Sequence, residues 1–219
     1  MIARETSALR EIETAVALPF TGRADAEGFP GNAAWENAAA IQFRHDWRGK
    51  NADPLRETEV RLLWTAESFY VRFLARYRSI TVFDDAEPSG RRDKLWERDV
   101  AEAFLQPSGS DPRCYKEIEV SPNGFWIDLD IVEGEKRDLR SGLKRRVTVD
   151  ENNKTWRAEL ALPMKSLAAH FDPAAAWRVN FYRAEGVREP RFYSAWRPTG
   201  TALPDFHVPE SFGKLVFET

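Results

Sequence analysis

Glu59-Val60-Arg61-Leu62-Leu63-Trp64, followed by Phe69-Tyr70-Val71-Arg72-Phe73-Leu74-Ala75-Arg76-Tyr77, is the stretch from which the fold is read. In the first run the even positions are apolar. In the second the odd positions form one apolar face, and Arg72 and Arg76 fall on the other. Side chains of a strand alternate between faces, so both runs predict half-buried strands. The link Thr65-Ala66-Glu67-Ser68 is short enough to make them a hairpin.

The same alternation extends outward. It predicts further strands at residues 100–106, 115–121, 125–131, 143–149, 155–162, 178–183, 191–197 and 215–218. Ser121-Pro122-Asn123-Gly124 is a turn: proline presets φ, and Asn-Gly tolerates the left-handed region. Helix is predicted only at 164–171, behind Pro163 at a natural first-turn position, with one short turn at 35–40. Many short strands separated by turn residues predict an all-β chain. The expected form is a two-sheet antiparallel β-sandwich, jelly-roll or immunoglobulin-like, with one or two short helices. No Pro/Gly/Ser-rich linker divides the strands, so residues 1–219 are read as a single domain.

Composition narrows the function. Lys and Arg number 32 against 35 Asp and Glu, a net charge of −3, which leaves no basic excess to follow a phosphate backbone. Nucleic acid is therefore excluded as the main partner, and no apolar run approaches the ~18–20 residues of a membrane span. A single cysteine, Cys114, excludes an internal disulfide framework. The start, MIARETSALREIE, lacks the apolar stretch of a secretory signal. The default expectation is cytoplasmic, or extracellular or periplasmic if a leader has been removed. No phosphate loop, dinucleotide-binding glycine motif or nucleophile elbow is present. His45, His170 and His207 show no metal spacing.

Two constellations carry chemistry. The first is aromatic. Trp96 lies within the charged run Arg91–Asp99, and Phe206 lies in Leu203-Pro204-Asp205-Phe206-His207-Val208-Pro209, between two prolines. Each is a loop anchor or an exposed platform. The second is acidic: alternation puts Glu102 with Phe104 on one face, and Tyr115, Glu117, Glu119 and Ser121 on one face of the next strand. In 125–131 it groups Trp126, Asp128 and Asp130. If these strands are neighbours, one sheet face is lined with carboxylates and rings. That face is a solvated surface, a sugar site, or a pair of catalytic carboxylates. Asp84, Asp85 and Glu87 form an oxygen-rich loop, a solvated loop or a cation site.

Trp96-Glu97-Arg98-Asp99-Val100-Ala101-Glu102-Ala103-Phe104-Leu105 resembles a strand of family 9 carbohydrate-binding modules and their DOMON-like relatives. Leu63–Val71 is similar to that family's hairpin, and Trp156-Arg157-Ala158-Glu159-Leu160-Ala161-Leu162-Pro163 to a later strand. Asn180–Arg183, Ser194-Ala195-Trp196 and Phe206–Leu215 continue the likeness, which runs over roughly residues 30–219. The resemblance implies an antiparallel sandwich in which two aromatic rings enclose a terminal sugar. Their positions fall on Trp96 and Phe206, and the contacting glutamate on Glu102. Glu117, Glu119 and Ser121 stand where sugar-binding members have Gln, Arg and Asn. The resemblance also implies structural calcium; no other cofactor is required.

The resulting expectation is non-catalytic carbohydrate binding by a monomer, with Trp96, Phe206, Glu102, Glu117, Glu119, Trp126 and Trp196 as ligand-binding residues. The alternatives are a glycosidase using two of the three glutamates, or a sandwich repurposed for small-ligand or protein docking. The acidic face should favour hydroxyl-rich or cationic ligands over uronic acids. As a shallow polar surface, it should leave its glutamates ionised near neutral pH.

Overall fold

A computed structural model describes residues 14–219; the leader reading made on the first thirteen lies outside the described residues. In chain order the strands are β1 Thr14–Pro19, β2 Ile41–Phe43, β3 Thr58–Trp64, β4 Ser68–Arg76, β5 Val100–Gln106 and β6 Cys114–Val120. They continue with β7 Trp126–Val132, β8 Glu135–Asp138, β9 Lys144–Asp150, β10 Thr155–Pro163, β11 Trp177–Glu185, β12 Phe192–Ala195 and β13 Gly213–Phe217. The helices are α1 Asn32–Asn37 and α2 Met164–Leu167. The second is shorter than the sequence pattern suggests, because Ala168 is extended and Phe171 turns inward to pack on Trp64, Trp177 and Phe217. No described helix is long and apolar enough to cross a membrane.

The chain is all-β, as read from the alternation. The expected pair of wholly antiparallel sheets is corrected on two points. The strands form one unbroken ladder, β8-β7-β6-β5-β11-β13-β1-β3-β4-β10-β9, with β12 on β11 and β2 on β3. The ladder is also mixed, because β1 runs parallel to both β3 and β13. A parallel neighbour needs a long crossover, and β1 pairs with β13 from the other end of the chain and with β3 beyond an intervening helix and strand, pairings that local alternation does not report.

The sheet curls strongly, so distant strands face each other. Phe73 of β4 and Phe181 of β11 are separated along the ladder by β3, β1 and β13, yet their ring centroids lie 6.2 Å apart. Inside the curl, Phe69, Val71 and Phe73 meet Ala101, Ala103, Leu105, Ile118 and Val120 in the main core. Each large side chain fully buried there contributes about 1.5–3 kcal/mol. The β3–β4 hairpin is closed by Thr65 N–H donating to the Ser68 carbonyl, while the Thr65 hydroxyl accepts from the Glu67 and Ser68 amides.

A second apolar cluster lies on the other side of β5, β6, β7 and β11, where Phe104, Tyr115, Ile127, Leu129 and Tyr182 pack beneath loops carrying Leu95 and Phe212. Every residue of β5 is buried as a result. A third, smaller cluster gathers Trp35 of α1 with Leu63 and Tyr70.

Candidate functional site

The site grows from register. Glu102 of β5 pairs with Glu119 of β6 and with Tyr182 of β11; Phe104 pairs with Glu117. Residues directly opposite in a ladder share a face. Glu102, Glu117 and Glu119 therefore converge, and one carboxylate oxygen from each lies within 4.8 Å of the others. All three are buried, at 2%, 1% and 0% exposure. The expected shallow solvated face is corrected: loops cover this side of the sheet.

That burial reverses the expected protonation. Desolvation, followed by the charge of Glu117, pushes the Glu102 carboxyl up to about 8, against the opposing pull of Lys136 and Arg191. Desolvation and both neighbouring glutamates hold the Glu119 carboxyl well above the usual carboxylate range. Glu102 Oε1, Glu117 Oε2 and both oxygens of Glu119 accept from no N–H or hydroxyl donor, and the proton on Glu119 is shared with Glu117.

Above Glu102 and Glu117 opens a cleft of about 400 Å³ walled by Trp96, Phe206, Lys136 and Tyr193. Trp96 sits in a single helical turn, Leu95–Glu97, entered through Lys94 at φ +55° and anchored by the fully buried Leu95. Arg191 donates to the carbonyls of Trp96 and Arg98 at 3.0 and 2.9 Å, which fixes that turn against the loop before β12. Phe206 lies nearly parallel to Tyr182, with centroids 4.3 Å apart and planes at 13°, and meets Tyr193 edge-on. Its loop is tied by the Val208 amide to the Phe206 carbonyl and by Tyr115 Oη to His207 Nδ1 at 2.7 Å. Trp96 and Phe206 are both partly exposed, so neither is consumed by the core.

Five of the seven residues singled out in the sequence thus gather at one place: Trp96, Phe206, Glu102 and Glu117 line the cleft, and Glu119 lies beneath its floor. Trp126 and Trp196 do not join them. The β6–β7 register pairs Val120 with Trp126 and Glu119 with Ile127, so Trp126 points to the concave side. There it packs against the main core and donates from Nε1 to the Ser89 carbonyl. Asp128 and Asp130 turn the same way, away from the three glutamates. Trp196 packs on Phe181 in that core, at 5.8 Å between centroids. Asp84, Asp85 and Glu87 are exposed, and Asp85 pairs with Arg92 at 3.2 Å. Their carboxylates do not converge as a group of three.

Lys136, Arg191 and Tyr193 were missed. Lys136 lies on β8, whose four residues are all exposed and carry no alternation. Its Nζ sits 4.0 Å from the centre of the Trp96 ring and 3.7 Å from Glu117 Oε1.

The family described as carbohydrate family 9 binding domain-like matches residues 27–219. An extracellular protein of Arthroderma benhamiae is 23% identical over 181 residues, which is 75% of this chain and 80% of that protein. A Bacteroides uniformis protein classed as carbohydrate-binding superposes with a TM-score of 0.73 at 18% identity, covering 94% of this chain and 99% of its own. A carbohydrate-binding module of family 9 from Caldicellulosiruptor kristjanssonii, in complex with cellotriose, gives 0.65 at 14% identity, covering 94% and 93%. The glucose complex of a family 9 module from the same organism gives 0.61 at 13%, covering 94% and 95%.

Proposed function

The chain belongs to the carbohydrate family 9 binding domain-like family, and from that premise we propose that it is a non-catalytic, single-domain sugar-binding module. Its ligand is held between Trp96 and Phe206 over the Glu102–Glu117 floor. The observation that carries this reading is that two partly exposed rings, brought from separate loops, bound one cleft with buried carboxylates at its base. Rings cover the apolar C–H faces of a sugar, and carboxyl groups exchange hydrogen bonds with its hydroxyls. The relatives crystallised with cellotriose and glucose support a β-glucan-type ligand.

The glycosidase alternative has one feature in its favour: a carboxyl held protonated beside a second carboxylate is what acid catalysis uses. The geometry weighs against it. Catalytic carboxyls flank the scissile bond, whereas these three rise from adjacent strands β5 and β6 on one floor. Calorimetric titration with cellooligosaccharides tests the reading. Covering one sugar face removes ~80 Å² of apolar surface from water, about 2 kcal/mol or ~30-fold in affinity. Trp96→Ala should lose that much without change in its circular dichroism. Hydrolysis of an aryl glucoside by the wild type, abolished in Glu102→Gln, would overturn the non-catalytic reading.

A further inference from the structure

The cleft holds an ammonium of its own. Lys136 Nζ lies over the Trp96 face at 4.0 Å and beside Glu117 Oε1 at 3.7 Å, where aromatic wall meets acidic floor. The first distance is a cation–π contact; the second is an ion pair too long for a hydrogen bond. Glu102 Oε1 and Glu117 Oε2 are buried and accept from no N–H or hydroxyl donor, only the proton that Glu119 holds beside Glu117 being within reach, although both residues line the cleft. A buried acceptor without a donor is costly, and more so when charged. A sugar hydroxyl brings one donor and no charge. A protonated amine brings three donors and a positive charge.

We propose that this cleft selects an amino sugar, whose ammonium displaces that of Lys136 from Trp96 and donates to Glu102 and Glu117. The inference rests on the sugar-binding reading and narrows it to a ligand class. Lys136 is free to leave: it lies on the exposed edge strand β8, on a flexible stem. Arg191 already acts on Glu102 through its charge, but its Nη2 is held by the Trp96 and Arg98 carbonyls and it donates no hydrogen bond to either glutamate. The charged and titratable groups around the floor are Glu119, Tyr115, Tyr182, Asp205 and His207, together with Lys136 and Arg191. Fully ionised, three glutamates and Asp205 outweigh the two cations. Burial first, and the charge of Glu117 second, keep a proton on Glu102; an ammonium that donates directly to the floor, where Lys136 Nζ stands 3.7 Å from Glu117, favours the ionised carboxylates, so binding releases protons.

The experiment compares three β-1,4-linked dimers that differ only at C2: cellobiose with a hydroxyl, the glucosamine dimer with an ammonium, and the N-acetylglucosamine dimer with an acetamide. Calorimetry at pH 6 and low salt should show the glucosamine dimer bound about tenfold or more tightly than cellobiose. Its apparent enthalpy should vary with the ionisation heat of the buffer. Lys136→Ala, an exposed position, should raise the preference further, and Glu102→Gln should level it. Cellobiose bound as tightly as, or more tightly than, the glucosamine dimer would overturn the inference and leave the sugar-binding reading standing. Failure of all three dimers to bind would overturn both. Cellobiose binding that requires calcium and is lost in EDTA would assign the glutamates to a metal ion, and would also overturn the inference.

Discussion

Replacing Glu102 with glutamine should stabilise the fold, and by an amount that grows with pH. The carboxyl lies at 2% exposure beside Glu117 and Glu119, and desolvation raises it from an ordinary 4.5 to about 8. Between those limits the native state holds a proton that the unfolded chain has released. Stability from this group is therefore complete below pH 4.5 and is lost as pH rises through 8. At 1.36 kcal/mol per unit the ceiling is about 5 kcal/mol, comparable with the lower end of a typical domain's stability of about 5–15 kcal/mol. Glutamine removes the titration, keeps the shape, and offers its amide to Glu117 Oε2 or to Glu119. Urea unfolding followed by tryptophan fluorescence at pH 5.0, 6.5 and 8.5 measures the difference. The two proteins should be similar at pH 5.0, and the variant ahead by several kcal/mol at pH 8.5, or roughly 10 °C in Tm for a chain of this size. Parallel pH–stability curves would refute the reasoning, since they would mean that Glu102 ionises in the folded protein as freely as in the unfolded chain.

Trp126→Phe should leave sugar affinity within about twofold of wild type while lowering the urea midpoint, because its indole packs on the concave core and donates to Ser89 rather than lining the cleft. Arg183→Leu should cost about 3–5 kcal/mol in the same unfolding assay. Arg183 is fully buried, bonded to Glu185 at 3.0 Å and to the Arg76 carbonyl at 3.2 Å, and the variant strands part of the Glu185 charge inside. Phe73→Ala should cost about 3–5 kcal/mol, since the ring is fully buried against Phe181 where the two halves of the curl meet.

The hairpin of β3 and β4 was legible because Val60, Leu62, Phe69, Val71, Phe73 and Ala75 repeat at every second position and face the main core. β5 and β6 were equally legible, down to the shared face of Glu102, Glu117, Phe104 and Tyr115. β1 and β8 were not. The first is placed by parallel partners at residues 62–64 and 214–217, and the second is wholly exposed, placed by its backbone ladder to β7 and by the side-chain contacts of Lys136 and Asp138. In β7 the period was right and the direction was not. Both faces of the sheet are covered there, so Ile127 and Leu129 pack on one side while Trp126 turns to the other, and charge no longer marks the solvent side.

Local alternation is a property of neighbouring residues, and by itself it determined the all-β class, most strands, and the placement of three glutamates on one face. It also marked Trp96 and Phe206 as rings in loops. Burial is a property of what folds over a face from elsewhere in the chain. Only the tertiary structure laid the loops carrying Leu95 and Phe206 across β5 and β6. That closure turned an expected solvated acidic surface into a buried, proton-holding floor, and it brought Lys136 from an unpatterned edge strand onto the face of Trp96.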